Sequence, residues 1–208
     1  MSIAQPIVMS APDAGEELAR AEIYGLLSSL FFAPPSAELL GQFQVAVTEA
    51  PEPGGFLERP WQDLVAAARA SDEPQAAAEY EALFMGVGKP EVFLYGSFYM
   101  AGYLHETPLV KLRSSLGELG LARDAAMQET EDHVAYVFEV MRYLIAGDDL
   151  AVCNLERQRQ FFRAHVQPWV ERFCETLAQH PGAGLYRQVA LFTQAFMAVE
   201  TQAFDMLE

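Results

Sequence analysis

Apolar residues recur at three- and four-residue steps along most of the chain, and this spacing limits the possible folds more than any other feature. In residues 15–32, for example, Ile23, Leu27 and Leu30 share one side of a predicted helix, and Pro34 follows its end. No segment alternates apolar and polar residues for long enough to predict a β-sheet, and no internal repeat is present. Because 51% of the 208 residues are hydrophobic, the chain can bury a sizeable core. The sequence therefore predicts an all-α fold, a single-domain helical bundle of about eight to ten helices.

Capping residues, prolines and glycines mark where the predicted helices begin and end. Ser36 is predicted as an N-cap, Pro74 as a first-turn residue and Gly120 as the residue that ends a helix. The segment 86–97 contains three glycines and a proline, which predicts a loop. One domain is expected over residues 1–208, with residues 1–14 as a flexible tail. The predicted helices cover 15–32, 37–49, 61–70, 74–85, 108–119, 129–144, 150–166, 168–179 and 184–206.

The chain is strongly acidic, with 29 acidic and 13 basic residues and a formal net charge of −16. Such a chain repels phosphate backbones, so we expect no nucleic-acid partner. Basic ligands or basic peptides are the favoured partners. The alternative is that the charge only keeps the surface soluble.

Features that determine location point to the cytoplasm. The N-terminal stretch has no cationic residues ahead of an apolar run, so no secretory signal is predicted. The longest apolar stretch, IYGLLSSLFF, is too short to cross a bilayer. Cys153 and Cys174 form no CxxC pair, which is typical of buried thiols in a reducing compartment. We therefore expect a soluble cytoplasmic protein without stable membrane insertion.

Sequence signatures of catalysis are missing. None of the four histidines stands in an HExxH pair, and the chain has neither a phosphate-binding loop nor a Gly-x-Ser-x-Gly motif. The sequence predicts no catalytic residue, no metal ligand and no cofactor, and hence no enzyme. A helical enzyme whose site is assembled from distant residues stays open as an alternative.

The stretch ETEDHVAYVFEVMRYL, residues 129–144, places acidic residues and a histidine ahead of an apolar helix. With Thr130 as the N-cap, Asp132 and His133 would occupy the first turn. The helix dipole stabilises a carboxylate there but disfavours a cation, so we expect a neutral imidazole. The pair has two interpretations: it begins the helix and does no more, or it forms an exposed site for a cationic or amide-rich ligand.

Four motifs follow one another over about residues 80–200. They contain Tyr80, Leu83 and Phe84; Tyr95, Gly96, Ser97 and Tyr99; Glu129, Asp132 and His133; and Phe162, His165, Pro168 and Trp169. In order and spacing, these motifs resemble those of the TorD/DmsD family of cytoplasmic chaperones for molybdoenzymes.

The resemblance implies a chaperone that binds the twin-arginine signal peptide, or the apo form, of a molybdopterin-containing redox enzyme until cofactor insertion and export. As a monomer or a domain-swapped dimer, it would bind the catalytic subunit of its client. Two further alternatives are a nucleotide-using protein, since GTP has been linked to the family, and a NarJ-like chaperone for a client without a classical leader. Each predicted site residue could instead serve packing or capping alone. The predicted peptide-binding residues are Leu83, Phe84, Tyr95, Gly96, Ser97, Tyr99, Asp132 and His133.

Overall fold

The computed structural model describes residues 15–48, 55–86, 88–124 and 127–206. These residues form ten α-helices and two π-helical turns, and they contain no β-strand, which confirms the all-α class. The predicted tail, residues 1–14, lies outside the described residues. The helices are α1 (Gly15–Phe32), α2 (Ala37–Gln44), α3 (Glu58–Ala70), α4 (Glu73–Tyr80), α5 (Gly96–Ala101), α6 (Thr107–Glu118), α7 (Val134–Ala146), α8 (Leu155–Phe161), α9 (Gln167–Gln179) and α10 (Leu185–Asp205), and the π-helical turns are Glu81–Met85 and Phe162–Val166.

The described residues divide into two compact units. The first unit contains residues 15–16, 33–92 and 174–206, and the second contains residues 17–32 and 93–173. Whether residues 1–208 behave as one domain in solution remains a prediction. Within the described residues, no helix combines the length and the apolar content that crossing a membrane requires.

In the first unit, α10 packs against α3 and α4, and α2 packs against α3. Trp61 of α3 lies between Phe43 and Phe192, with ring centroids 6.0 and 5.5 Å away. A carboxylate from α4 also holds the beginning of α10. Glu79 accepts backbone hydrogen bonds of 2.8 to 3.0 Å from Gly184, Leu185 and Tyr186.

In the second unit, helix α7 packs against α8 and the second π-helical turn. The Phe138 ring of α7 contacts the rings of Tyr24 and Phe31 in α1. The Ser28 hydroxyl of α1 also donates to the Ala135 carbonyl of α7 at 2.8 Å. The second π-helical turn carries His165, whose Nε2 forms a 2.8 Å hydrogen bond with Ser115 Oγ of α6. These contacts fix the position of α7, which begins at the motif containing Asp132.

At this motif and its partner segment, the start of one helix was predicted wrongly and another helix was not predicted. Helix α7 begins at Val134, and its N-cap is His133 instead of Thr130. The reason is that Asp132 accepts from Gly96 N and Val134 donates to the Leu94 carbonyl, which keeps His133 extended between them. The short helix α5 itself was not predicted, because it starts inside the segment that the glycines and proline marked as a loop.

Candidate functional site

Two of the motifs meet in the second unit, although 34 residues separate Tyr95 from Glu129 in the sequence. Tyr95 and His133 form an isolated antiparallel bridge. On either side of it, Gly96 N donates to the Asp132 carbonyl at 2.9 Å and Val134 N donates to the Leu94 carbonyl at 2.8 Å. We call residues 94–99 and 129–136 the motif junction. It contains six of the eight predicted site residues: Tyr95, Gly96, Ser97, Tyr99, Asp132 and His133.

Asp132 is buried at 3% exposure, so the predicted exposed position at a helix start was wrong. One carboxylate oxygen accepts a 2.9 Å hydrogen bond from the backbone N–H of Ser97, and the other accepts a 2.7 Å hydrogen bond from Thr130 Oγ1. Ser97 lies in the first turn of α5, so Asp132 stabilises a neighbouring helix and not its own. The Ser97 hydroxyl in turn accepts a hydrogen bond from the backbone of His105 at 3.2 Å.

His133 is buried and neutral. Its Nδ1 accepts a 3.2 Å hydrogen bond from Ala135 N, as an N-cap side chain does. Burial lowers the pKa of His133 from 6.5 to about 4, although the charges of Glu129 and Asp132 oppose the shift. The imidazole lies edge-on to the Tyr95 ring at 5.2 Å and 5.6 Å from the Tyr136 ring. The neutral form expected from the sequence agrees with this environment.

Gly96 and Tyr99 pack the junction onto Trp169. A Cβ atom at position 96 would lie 2.9 Å from the indole ring, so only glycine allows this approach. Tyr99 stacks on the same ring at 5.9 Å, and its hydroxyl donates to the Phe93 carbonyl at 2.9 Å. Both residues therefore determine the geometry of the segment that carries Tyr95, which is itself partly exposed.

The structure places Leu83 and Phe84 in the first unit, on the first π-helical turn. Both are buried. The Phe84 ring lies 5.0 Å from the rings of Tyr80 and Tyr186, and the Leu83 carbonyl accepts a 2.9 Å hydrogen bond from Val92 N. Their contacts are those of core residues of that unit.

Glu129 is a functional candidate that sequence reasoning did not select. Its carboxylate is partly exposed and accepts a short hydrogen bond from the Tyr95 hydroxyl. No cationic group of the described residues lies within salt-bridge distance of it. The neighbouring carboxylates differ, since Glu131 pairs with Arg113 at 2.9 Å and Glu139 pairs with Arg142. The motif included Glu129, but a sequence pattern does not show which of several nearby acids lacks a cation.

An apolar cavity of about 290 Å³ lies beside the junction. Tyr136 belongs to both, because its ring lines the cavity and also approaches His133. The Arg123 guanidinium donates to the carbonyls of Met127 and Gln128 and thereby holds one wall of the cavity. The sequence did not predict this cavity, because its walls come from the end of α6, the following segment and the exposed side of α7. The cavity is lined by Leu116, Leu121, Ala122, Arg123, Met127, Glu131, Tyr136, Glu139, Val140 and Tyr143.

A family model described as nitrate reductase delta subunit matches residues 54–175, more than half of the chain. The chain belongs to the nitrate reductase delta subunit family. The matched range contains the whole motif junction and every residue that lines the cavity. The family model therefore covers the whole candidate site.

Relatives of this delta subunit family member support the resemblance to the TorD/DmsD family. The chain is 28% identical over 204 residues to the chaperone protein TorD of Vibrio cholerae, spanning 90% of this chain and 93% of that protein. It is 26% identical over 200 residues to the TorD of Aliivibrio fischeri, spanning 88% and 93%. The matched family and these relatives, which are named as chaperones, support a resemblance to the TorD type of chaperone and not to an enzyme.

A solved structure shows the same fold at low sequence identity. The crystal structure of a redox enzyme maturation protein from Archaeoglobus fulgidus superposes with a TM-score of 0.56 at 15% identity. The superposition covers 95% of this chain and 99% of that one. The all-α architecture of this delta subunit family member is therefore shared along nearly its whole length.

Proposed function

We propose that the protein is a cytoplasmic maturation chaperone for a molybdopterin-containing redox enzyme. It binds the twin-arginine leader or the apo form of that client and holds it until cofactor insertion and export. The observation that carries this function is the meeting of two family motifs in one junction, next to an apolar cavity. The membership in a nitrate reductase delta subunit family and the relatives named TorD support the same function.

The chemistry of the site suits a peptide that joins basic residues to an apolar segment. Apolar burial supplies most of the affinity, at roughly 25 cal/mol per Å² of surface removed from water. Exposed ion pairs contribute only about 0–1 kcal/mol each, but they orient the peptide and speed its association with a chain of net charge −16.

The predicted site residues contribute to binding in different ways. Tyr95 is partly exposed and contacts the client directly. The buried residues Asp132 and His133, together with Gly96, Ser97 and Tyr99, hold Tyr95 and the neighbouring carboxylate in place. Leu83 and Phe84 stay in the proposed set as buried residues of the first unit, on a π-helical turn. Such turns often occur at functional sites.

Calorimetric titration with a synthetic twin-arginine leader peptide tests this function. We expect saturable one-to-one binding to the wild-type protein and much weaker binding of a peptide whose two arginines are replaced by glutamine. Equal binding of the two peptides, or no binding of either, would contradict the assignment of a leader as the ligand.

The family description favours one alternative client, a nitrate reductase subunit without a classical leader. A pull-down with two forms of a client subunit separates the cases. If leader binding is the main function, the protein retains the full-length apo-subunit and loses the form that lacks the leader. If the body of the client is recognised, both forms are retained equally.

A further inference from the structure

We propose that Glu129 receives a cationic side chain of the bound leader and that the apolar cavity beside it receives an apolar side chain of the same peptide. This two-part site deepens the proposed function and depends on it. In this proposal Glu129, and not Asp132, is the acidic residue that binds the cationic group of the peptide.

The first step concerns which carboxylates can accept another ligand. Both oxygens of Asp132 are occupied within the junction, and Glu131 and Glu139 are each bound by an arginine. Glu129 has the Tyr95 hydroxyl as its hydrogen-bond partner, a single neutral donor. An ionised carboxylate offers about four acceptor positions, so Glu129 keeps room for the two parallel N–H donors of a guanidinium.

The second step concerns the position of Glu129 relative to the cavity. Glu129 lies on the chain between Met127 and Glu131, which both line the cavity, and its carboxylate accepts from the hydroxyl of Tyr95, whose ring is 5.2 Å from that of His133. Its charge also adds to burial in raising the pKa of Tyr136, and it partly offsets the lowering of the His133 pKa by burial. Glu129 therefore lies close to both rings. Tyr136 lines the cavity, so the carboxylate is at the edge of the apolar pocket.

The third step concerns the size and chemistry of the occupant. A volume of about 290 Å³ lies just below the range for ligand pockets, which extends from about 300 to 1,000 Å³. It suits one or two apolar side chains and is too small for a whole helix. The chain's charge of −16 favours a cationic peptide. Of the three carboxylates in the described motif junction, Glu131 has an arginine partner and Asp132 has hydrogen bonds to both oxygens, which leaves Glu129 for the peptide. A leader in which an apolar segment follows its arginines supplies both groups within a few residues.

The test measures the affinity of a synthetic peptide in which two arginines precede a leucine-rich segment, and of the same peptide with both arginines changed to glutamine. Glu129→Gln keeps the size of the side chain and an acceptor for Tyr95. We expect it to weaken the arginine peptide by about ten- to a hundredfold, as for a lost charge-assisted hydrogen bond. The glutamine peptide should bind the wild type and this variant equally. The matched control is Glu118→Gln, an exposed position on α6, which should leave both affinities unchanged.

Two further variants keep the inference testable if Glu129→Gln does not fold. Tyr95→Phe removes the phenol that competes for the Glu129 carboxylate, so it should raise the preference for the arginine peptide over the glutamine peptide a few-fold. Val140→Phe fills the cavity and should weaken both peptides about tenfold, whereas the exposed Val110→Phe on α6 should not.

The outcomes distinguish this inference from the function on which it depends. If the wild type binds the arginine peptide but Glu129→Gln and Tyr95→Phe bind it with the wild-type affinity, the assignment of Glu129 is wrong and leader binding stands. If Val140→Phe binds like the wild type, the cavity is not the apolar pocket. If the wild type binds neither peptide, the proposed function fails and this inference fails with it.

Discussion

Asp132 and His133 show that the contribution of a side chain depends on the backbone that surrounds it. Both are buried at 3% exposure, and each bonds to a backbone N–H: Asp132 to that of Ser97, and His133 to that of Ala135. Their identities were apparent from the sequence, and so was the neutral form of the imidazole. Their burial was not, because it results from pairing with a segment more than thirty residues away.

Replacing Asp132 should reduce stability more than it reduces peptide affinity. Asp132→Ala leaves the buried N–H of Ser97 without an acceptor, which costs about 1–3 kcal/mol. Asp132→Asn keeps one acceptor oxygen and should cost about 1 kcal/mol or less. Urea unfolding of both variants measures this order. If Asp132→Asn leaves stability unchanged but weakens the leader tenfold, Asp132 binds the client directly.

The buried histidines should make stability depend on pH. Burial lowers the pKa values of His133 and His165 from 6.5 to about 4, so between these values the unfolded chain binds more protons than the folded chain. Their contribution is therefore complete above about pH 6.5 and is lost as the pH falls towards about 4. For His133 the loss amounts to about 3 kcal/mol at most.

The variant His133→Asn keeps an N-cap acceptor but does not titrate, so the free energy of unfolding should vary less steeply with pH from 4.5 to 6.5. Asn is also suitable at the exposed His105, whose φ of 62° is left-handed, and His105→Asn serves as the control. A slope identical to that of the wild type in His133→Asn would contradict the assigned burial effect.

At the scale of helices, the apolar spacing predicted most elements well, including the bounds of α1 and the N-cap of α2. The predicted bounds were wrong for α2, which ends at Gln44 and not at 49, and for α8, which begins at Leu155 and not at 150. At α5 and α7, a partner from elsewhere in the chain determines the local structure. Helix α5 exists because Asp132 binds its first turn, and α7 starts late because residues 132–134 pair with residues 94–96. The sequence also predicted residues 81–85 as an ordinary α-helical continuation of α4, whereas Glu81–Met85 form a π-helical turn.

Mutation of Glu79 tests whether a residue far away in the sequence stabilises the beginning of helix α10. Glu79→Ala removes the carboxylate that accepts from Gly184, Leu185 and Tyr186, so we expect a loss of about 1–3 kcal/mol. Glu79→Gln, which keeps one acceptor, should lose less. Glu81→Ala, at an exposed position two residues on, is the control. Denaturant unfolding followed by circular dichroism measures all three, and equal stability of Glu79→Ala and Glu81→Ala would show that this carboxylate does not stabilise α10.

At the scale of the whole molecule, the sequence predicted the fold class and the charge, but not the arrangement of the site. The all-α fold follows from local spacing, and the acidic surface follows from composition. The cavity could not be predicted in this way, because local spacing does not show how α6, α7 and the segment between them pack around it. The pattern also does not show which acid lacks a cation.

The net charge of −16 should make association with a basic leader sensitive to salt. Raising the ionic strength from about 0.01 to 1 M shortens the Debye length from about 30 to 3 Å. The association rate should therefore fall by about tenfold or more, while the dissociation rate, which apolar burial controls, changes much less. Stopped-flow fluorescence with a labelled leader measures both rates. An association rate independent of salt would show that the acidic surface serves solubility alone.

Photo-crosslinking of a leader peptide tests most directly the claim that the junction and its cavity bind the client. The peptide carries a benzophenone side chain in the apolar segment just after its two arginines, and mass spectrometry identifies the crosslinked residues. We predict crosslinks concentrated in residues 136–143 and 116–123, with a large loss in Glu129→Gln and in a peptide without the arginines. Crosslinks that fall elsewhere on the protein, or that persist unchanged in both controls, would contradict this account.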